Sequence, residues 1–439
     1  MANDPLDQPL AVYREDLSPR PSLSGPKVKI LHTSDWHLGR AINRFHRRFA
    51  EQEKFLNWLI EVIKAEDIEI LLVAGDIFDS QNPPLQAQEL YYAFLVNCRD
   101  TNLKQVVITA GNHDSAGFLT APSGLLRALN IHVVGDPASD PSSDLLTLKD
   151  SNGQPILLVA AVPYLKDRYL RTSKEGETVS ERDFNFAQGL ARHYATLAEL
   201  AQKRQAALGG AIPAVAMGHL FARGGEVTEG DGVRDLYVGT MALFDPQTFP
   251  QVFDYIALGH LHRPQKAKLE TIRYSGSPLK MSFQENANKS VTMVTLGDNR
   301  LEISLKPVPI FQELLRLKGD RNQILKELFA LKQAGSNAYL EIVHTGSELI
   351  GARRLEFEEA IKGTNLALTA VIEASPAAPT YNKLFEARDL AEMTHLEVFE
   401  KLLDQRKIPE EARIELKETY EEILQALAGE DLPPAVSEG

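Results

Sequence analysis

The chain has 439 residues, 44% of them hydrophobic, a formal net charge of −13 and a single cysteine. That length exceeds one ordinary domain, and the lone Cys98, set in the apolar run YYAFLVNC, excludes an intramolecular disulfide and reads as a buried thiol. No apolar stretch approaches the roughly 18 residues that a membrane span needs, and MANDPLDQPLAVYREDLSPRPSLSGP lacks the basic start and apolar core of a signal peptide, so a soluble protein of a reducing cytoplasm is expected, with no membrane contact.

Residues 1–26 hold five prolines and few large apolar side chains, which predicts a disordered extension. A strand follows over Val28 to Leu31 and stops at Ser34, Asp35 and His37, so that the D-x-H step sets two polar side chains at one strand end. The loop continues into GRAINRFHRRF, which carries Arg40, Arg44, Arg47 and Arg48, and then into an amphipathic helix with Phe55, Leu56, Leu59, Ile60 and Ile63 on its apolar face. Ile70 to Ala74 is uninterrupted and apolar, the pattern of a buried parallel strand, and it closes on Gly75 and Asp76, with Asp79 one turn further on. Val106 to Ala110 repeats the design, with Gly111 freeing the backbone and Asn112, His113 and Asp114 on the loop. IPAVAMGHL then delivers His219, and YIALGHLH delivers His260 and His262, followed by the basic strip Arg263, Gln265, Lys266 and Lys268. A domain is expected over residues 27–285, and IRYSGSP with the later SVTMVTLG is expected in a second sheet packed on the first.

From Asn286 to Ala374 the order changes to strand (VTMVTLG), strand (LEISLKPV), helix (Asn322 to Lys332), strand (YLEIVHT), helix (Arg354 to Lys362) and strand (LALTAVIEA). This predicts a small α+β domain over 286–374 with a ferredoxin-like alternation. A Pro and Ala linker, SPAAPT, covers 375–381, and residues 382–429 contain two amphipathic helices, near Leu396 to Gln405 and Ala412 to Leu427. Their apolar stripe, Leu396 and Phe399 on the first helix with Leu416, Tyr420, Ile423, Leu424 and Leu427 on the second, is too large for so short a segment to bury alone. It docks on its own domain or in a partner's groove. Residues 430–439 form a frayed tail.

Five strand ends thus aim polar groups at one crevice, where ligands bind in open α/β sheets. Two divalent cations about 3.5 to 4 Å apart need a bridging anion, and Asp76 is the natural bridge. Asp35, His37 and His262 with Asp76 are assigned to one ion, and Asp76, Asn112, His219 and His260 to the other. Carboxylate, amide and imidazole donors without a thiolate suit Mn²⁺ or Mg²⁺, with Fe²⁺ or Zn²⁺ as alternatives. Each motif alone is as readily an ordinary turn or cap. Six of the eleven histidines, His32, His37, His113, His219, His260 and His262, fall in these segments, and that joint occurrence favours the metal site. His113 is left outside the metal shell as proton donor to a leaving oxygen, and Asp114 either orients it or caps the next helix.

DxH, GDxxD, GNHD, GH and GHxH in this order resemble the calcineurin-like metallophosphoesterase superfamily. Within it HTSDWHLGR, GDIFD, GNHDS and YSGSPL are similar to the SbcD family of bacterial nucleases. The resemblance implies an α/β four-layer αββα sandwich with a small α+β capping domain and C-terminal helices. It also implies a DNA nuclease of repair and recombination, acting as a 3′ to 5′ exonuclease and as an endonuclease on hairpin or blocked ends with two Mn²⁺ ions. Implied partners are DNA and an SbcC-like coiled-coil ABC-type ATPase that receives the C-terminal helices, with a homodimer inside a heterotetramer and a place at the nucleoid. Archaeal relatives carry a histidine where Asp79 stands, which leaves Asp79 without an assigned role. Net acidity opposes DNA binding, so Arg40, Arg44, Arg47 and Arg48 are the candidate backbone contacts, read equally as a solvated helix start. No G-x-x-x-x-G-K-[ST] loop occurs, so any ATP hydrolysis belongs to another chain. The rival readings are a phosphoesterase of small substrates (a cyclic nucleotide or a phosphoprotein) and an inactive scaffold of the same fold.

Overall fold

Successive residues of a strand point to opposite faces, and the apolar strands here use both faces. Ile30, Ile70, Leu72 and Val107 enter one core while their neighbours Leu31, Leu71, Val73, Val106 and Ile108 enter another. The structure is a computed structural model that describes residues 11–14, 21–43, 46–171, 178–222, 244–285, 287–345 and 350–373, with Phe399, Glu400, Leu403, Asp404, Arg413, Leu416, Lys417 and Tyr420 beyond them. Arg44, Leu396, Ile423, Leu424, Leu427, the SPAAPT linker and the tail lie outside the described residues.

The first sheet has seven strands in the order Ala11–Arg14, Arg300–Pro307, Ser290–Gly297, Val28–Thr33, Ile70–Ala74, Gln105–Thr109 and Ile131–Val134, the last four mutually parallel. The second has six, in the order Gln265–Ala267, Leu269–Tyr274, Tyr255–Gly259, Ala214–His219, Pro155–Ala160 and Leu145–Lys149. Between the sheets lies a core that includes Leu157, Val159, Val215, Met217 and Ala257 beside the residues of the first sheet. Helices Phe49–Ala65 and Leu85–Asn97 cover one outer face through Phe55, Leu59, Ile63, Tyr91 and Phe94. Helix Val179–Ala207 covers the other through Leu190, Tyr194, Leu197 and Ala201. The four layers expected from the sequence are therefore present. Among the described residues no helix is long and apolar enough to cross a membrane.

Three expectations are corrected. The Ser290–Gly297 strand pairs antiparallel with Val28–Thr33 and with Arg300–Pro307, so the hairpin belongs to the first sheet and neither to the second sheet nor to the capping domain. Its two apolar faces explain this: Val291 and Met293 enter the helix-covered core while Val294 and Leu296 enter the core between the sheets. Only a central strand can bury both. Secondly, the stretch expected to be disordered supplies the edge strand Ala11–Arg14, in register with Leu305 to Glu302, and buries Leu23. Four residues that join an existing sheet by backbone hydrogen bonds need no core of their own, which a reading of composition does not register.

Thirdly, the small domain is not ferredoxin-like. Leu314–Gly319, Tyr339–His344 and Ala367–Glu373 form a fully parallel three-stranded sheet, joined through helices Arg321–Gln333 and Ile350–Ala360. The first of these strands, LLRLKG, escapes a reading of the sequence because Arg316 and Lys318 interrupt its leucines. Ile324, Leu328, Leu340, Ile342 and Phe357 fill this unit's core. It meets the sandwich where Leu314 packs with Ile42 and Phe283, and where Asn43 donates a 2.8 Å hydrogen bond to Thr369 Oγ1. Residues 374–439 are a second compact unit. In it Phe399 and Tyr420 stack with centroids 4.0 Å apart and Arg413 pairs with Asp404, so two residues assigned to partner contact cover each other while Leu416 is 40% exposed.

Candidate metal centre

Parallel strands end on the same side of a sheet, and here the two sheets meet at those ends. A Cβ on Gly259 would lie 1.9 Å from the Ala74 carbonyl, and one on Gly111 would lie 2.1 Å from Asp76 Oδ1. Gly111 is thus required for space, and not for the backbone freedom expected of it. The polar residues that follow are held in uncommon conformations: Asp35, His37 and Asp76 have φ of 52°, 44° and 51°, and His260 has 99°. Such backbone costs of the order of 1–3 kcal/mol per residue and persists where surroundings enforce it. The enforcement is visible in hydrogen bonds from Asp35 N to Gly75 O (3.0 Å), from His37 N to Asp76 O (3.0 Å) and from His260 N to Asp35 Oδ1 (3.0 Å).

All seven residues assigned as metal ligands converge. Donor atoms of Asp35, His37 and His262 lie within 4.8 Å of one another, as do those of Asp35, Asp76 and His219. Asp76 Oδ2 stands 3.6 Å from His37 Nε2 and 3.3 Å from His219 Nε2, between the two halves of the cluster. Asn112 Oδ1 is 3.0 Å from both His219 Nε2 and His260 Nδ1. The donor set calls for cations. His219 Nδ1 is spent on the Ala74 carbonyl at 2.9 Å, so its Nε2 lone pair faces the oxygens of Asp76 and Asn112. His37 Nε2 and His262 Nε2 face each other at 3.1 Å in full burial. Lone pairs crowded in this way repel unless a proton or a metal ion sits among them. When no ion is bound, protons partly take that place. Burial works to discharge His219, but Asp76 beside it lifts the imidazole to about 9. Burial likewise raises Asp35 to about 6 and holds His262 far below its ordinary value. Asp76 is also pushed up by burial, yet His219 and His37 outweigh this and keep it an anion.

Around this cluster stand residues whose roles the sequence left open. His113 donates its backbone N–H to Asp76 Oδ1 (2.8 Å), and its ring lies 4.9 Å from that of His37. The Asp79 carbonyl is 3.0 Å from His113 Nδ1, which fixes the proton there and leaves Nε2 for chemistry. The Asp79 carboxylate lies 3.2 Å from His37 Nδ1 and accepts from Arg40 (2.9 Å), an outer carboxylate orienting a candidate ligand. Asp114 neither orients the His113 ring nor caps a helix. It accepts from the backbone N–H of Ile77, Phe78 and Gly111 and ties the Asp76 loop to the His113 loop, while Ser115 caps the following helix.

YSGSPL gains a physical meaning that its letters do not carry. Tyr274 OH accepts from Ala222 N and donates to the Leu220 carbonyl, just past His219. Ser277 N–H and the buried Lys289 ammonium both donate to the His262 carbonyl. Lys289, 27 positions from His262, has no local signal that sequence reasoning could have used.

The four arginines divide. Arg40 borders the cluster, Arg47 is exposed and donates to the Gly39 carbonyl, and Arg44 is outside the described residues. Arg48 is a correction: it is 4% exposed, forked onto Glu51 at 2.6 and 2.7 Å, and donates to the Lys280 carbonyl, so no DNA reaches it. Arg48→Ala would strand the buried Glu51 charge, and a loss of about 3 kcal/mol in chemical denaturation is expected. In the second basic strip Lys266 pairs with Glu270 and Lys268 with Asp245.

Two sheets whose carboxyl ends bring imidazole, carboxylate and amide donors together define a calcineurin-like phosphoesterase, and the model of that family matches residues 28–264. A second model, described as the type 5 capsule protein repressor C-terminal domain, matches residues 310–407, beginning where the parallel unit begins. The SbcD component of nuclease SbcCD from Escherichia coli strain K12 is 32% identical over 412 residues, covering 92% of this chain and 99% of that protein. Its namesake in Rhodobacter capsulatus is 37% identical over 310 residues, covering 69% and 75%, and that of Bacillus subtilis 30% over 402, covering 89% and 96%. The chain belongs to the SbcD family of calcineurin-like phosphoesterases.

Proposed function

We propose that this chain is the nuclease component of an SbcCD-type complex and hydrolyses DNA phosphodiesters with two divalent metal ions, Mn²⁺ foremost. The observation that carries this reading is the placement of Asp76 Oδ2 between His37 and His219, with a complete set of donors on either side. An inactive scaffold would be expected to have lost at least one of them. Asp35, His37, His262 and Asp76 would hold one ion; Asp76, Asn112, His219 and His260 would hold the other. When bound, the ions activate water and neutralise charge at phosphorus.

The chain's own groups supply the rest. His113, its Nδ1 proton committed to the Asp79 carbonyl, would act as general acid in its imidazolium form, giving the second proton, on Nε2, to the leaving 3′-oxygen and remaining as the neutral Nδ1–H ring. Asp79 and Asp114 keep His37 and the two loops in place. Removal of 3′-terminal nucleotides, cutting at hairpins or blocked ends, and pairing as a homodimer with a coiled-coil ATPase of the SbcC kind complete the proposal. Leu416 and the rest of segment 382–429 are what is offered to that ATPase.

The test is purified chain with Mn²⁺ on a labelled duplex, a hairpin and a cyclic nucleotide. Turnover of the two DNAs and not of the cyclic nucleotide is expected, and the reverse pattern would overturn the reading. Chelation should abolish turnover, with Mn²⁺ restoring it. The ions should also raise the thermal midpoint, since a ligand at 100 times its Kd contributes about 2.7 kcal/mol.

A further inference from the structure

His262 is held differently from its neighbours in the centre. The remote ring nitrogen of a metal-bound histidine ordinarily donates to a carboxylate or a carbonyl, and that bond fixes the direction of the ring. His219 Nδ1 has the Ala74 carbonyl at 2.9 Å, and His37 Nδ1 has the Asp79 carboxylate at 3.2 Å. His262 Nδ1 is buried, and no described residue hydrogen-bonds to it. Its Nε2 nevertheless faces His37 Nε2 at 3.1 Å.

The main chain of His262 is what is fixed. Its carbonyl accepts from Ser277 N at 3.1 Å and from the Lys289 ammonium at 2.9 Å. Lys289 Nζ also donates to Ser277 Oγ at 2.8 Å and lies 2.6 Å from Glu285 Oε2, with both charged side chains buried. Glu285 is anchored in turn, because its Oε1 accepts from Met281 N at 3.1 Å. We propose that Lys289, clamped by Glu285, is a positioning residue for the ion assigned to Asp35, His37, His262 and Asp76. The proposal rests on the two-metal nuclease reading and adds to it the device that aims one ligand.

Energetics favour this role over simple reinforcement of the fold. A buried ion pair is a poor source of stability, since apolar side chains of similar volume often serve as well or better. Directional bonds are what such replacements lack. Holding the His262 carbonyl sets the main chain there, and with it the Cα–Cβ bond from which the ring hangs. Without the clamp every donor is still present, but the ring loses its aim, so the ion on this half is held more weakly. Asn112, His219 and His260, on the other half, make none of these contacts with Lys289.

The experiment is calorimetric titration of the full chain with Mn²⁺ after chelation, comparing the parent with the double variant Lys289→Met/Glu285→Gln. Removing both charges strands neither, and Glu285→Gln keeps an oxygen for Met281 N. Loss of an outer partner of a metal ligand typically costs about 10- to 100-fold in affinity, so one Mn²⁺ equivalent should weaken by that factor while the other keeps its affinity. The thermal midpoint in chelator should match the parent's, and its rise on adding Mn²⁺ should shrink. Parental affinity for both equivalents would overturn the positioning role and leave the nuclease reading intact. A midpoint lowered equally with and without Mn²⁺, at parental affinities, would show a structural pair only and would overturn it too. Should the double variant not fold, Ser277→Ala, which removes the hydroxyl that receives Lys289, should weaken the same equivalent by a few-fold. No change there would again overturn the proposal. Failure of the parent to bind two equivalents, or to cut DNA with Mn²⁺ bound, would overturn the nuclease reading itself.

Discussion

Asp76→Asn is expected to reduce phosphodiester hydrolysis by at least about a thousand-fold and to lower Mn²⁺ stoichiometry from two ions to one. Asp76 Oδ2 is the oxygen that approaches both His219 Nε2 (3.3 Å) and His37 Nε2 (3.6 Å). Two cations about 3.5 to 4 Å apart repel strongly, and a shared anion between them is what makes joint occupancy favourable. Asparagine has nearly the same shape, and its oxygen can still accept from His113 N, where Asp76 Oδ1 now does at 2.8 Å. The loop should therefore hold. On the proposed assignment the substitution removes one negative charge and would turn the shared acceptor into a donor or a neutral oxygen, leaving at most one ion well bound. Calorimetric titration with Mn²⁺ measures the stoichiometry, and a circular dichroism spectrum matching the parent shows that the fold is kept. Two equivalents bound with parental turnover would remove Asp76 from the role of bridge.

The second large effect is at His113. His113→Ala should leave two Mn²⁺ equivalents bound and lower kcat on DNA by about 10² to 10⁴-fold, the usual worth of a positioned general acid. A substrate whose leaving group needs no proton distinguishes this role from a structural one. On bis(p-nitrophenyl) phosphate, which expels a stable phenolate, the loss should shrink to a few-fold. An equal loss on both substrates would place His113 among the groups that hold the metals, where its nearness to His37 and Asp76 would also allow it to act.

Much of the centre is legible in the sequence because each polar residue stands at the end of a short apolar run with the pattern of a buried strand. Ile70 to Ala74 must end somewhere, and its end places Asp76; the same logic places Asn112, His219 and His260. Parallel pairing then does the rest, since strands entering one sheet in the same sense deliver their ends to one rim. What supports those residues is not legible. The three N–H groups that Asp114 accepts from come from two separate loops, and Lys289 reaches the His262 carbonyl across 27 positions. Such contacts follow from tertiary packing and leave no periodic trace. Arg48 shows the converse error: a run of basic residues reads as a solvated surface, yet one member is drawn inside by Glu51, three positions on, where only packing decides the outcome. The domain boundary failed for a related reason. A hairpin late in the chain returns to a sheet begun at Val28, and adjacency in sequence favours grouping it with the elements that follow it.

The short strand Ala11–Arg14 has a bearing on solution behaviour. It occupies the outer rim of Arg300–Pro307, whose other side is already paired with Ser290–Gly297. A form of the chain beginning at Lys27 would retain every donor of the metal centre and yet present an unsatisfied row of amides and carbonyls there, a template onto which a neighbouring molecule can add. Pairing by Ala11–Arg14 covers Leu305 to Glu302 of that rim, which the shortened form would leave open to such an addition.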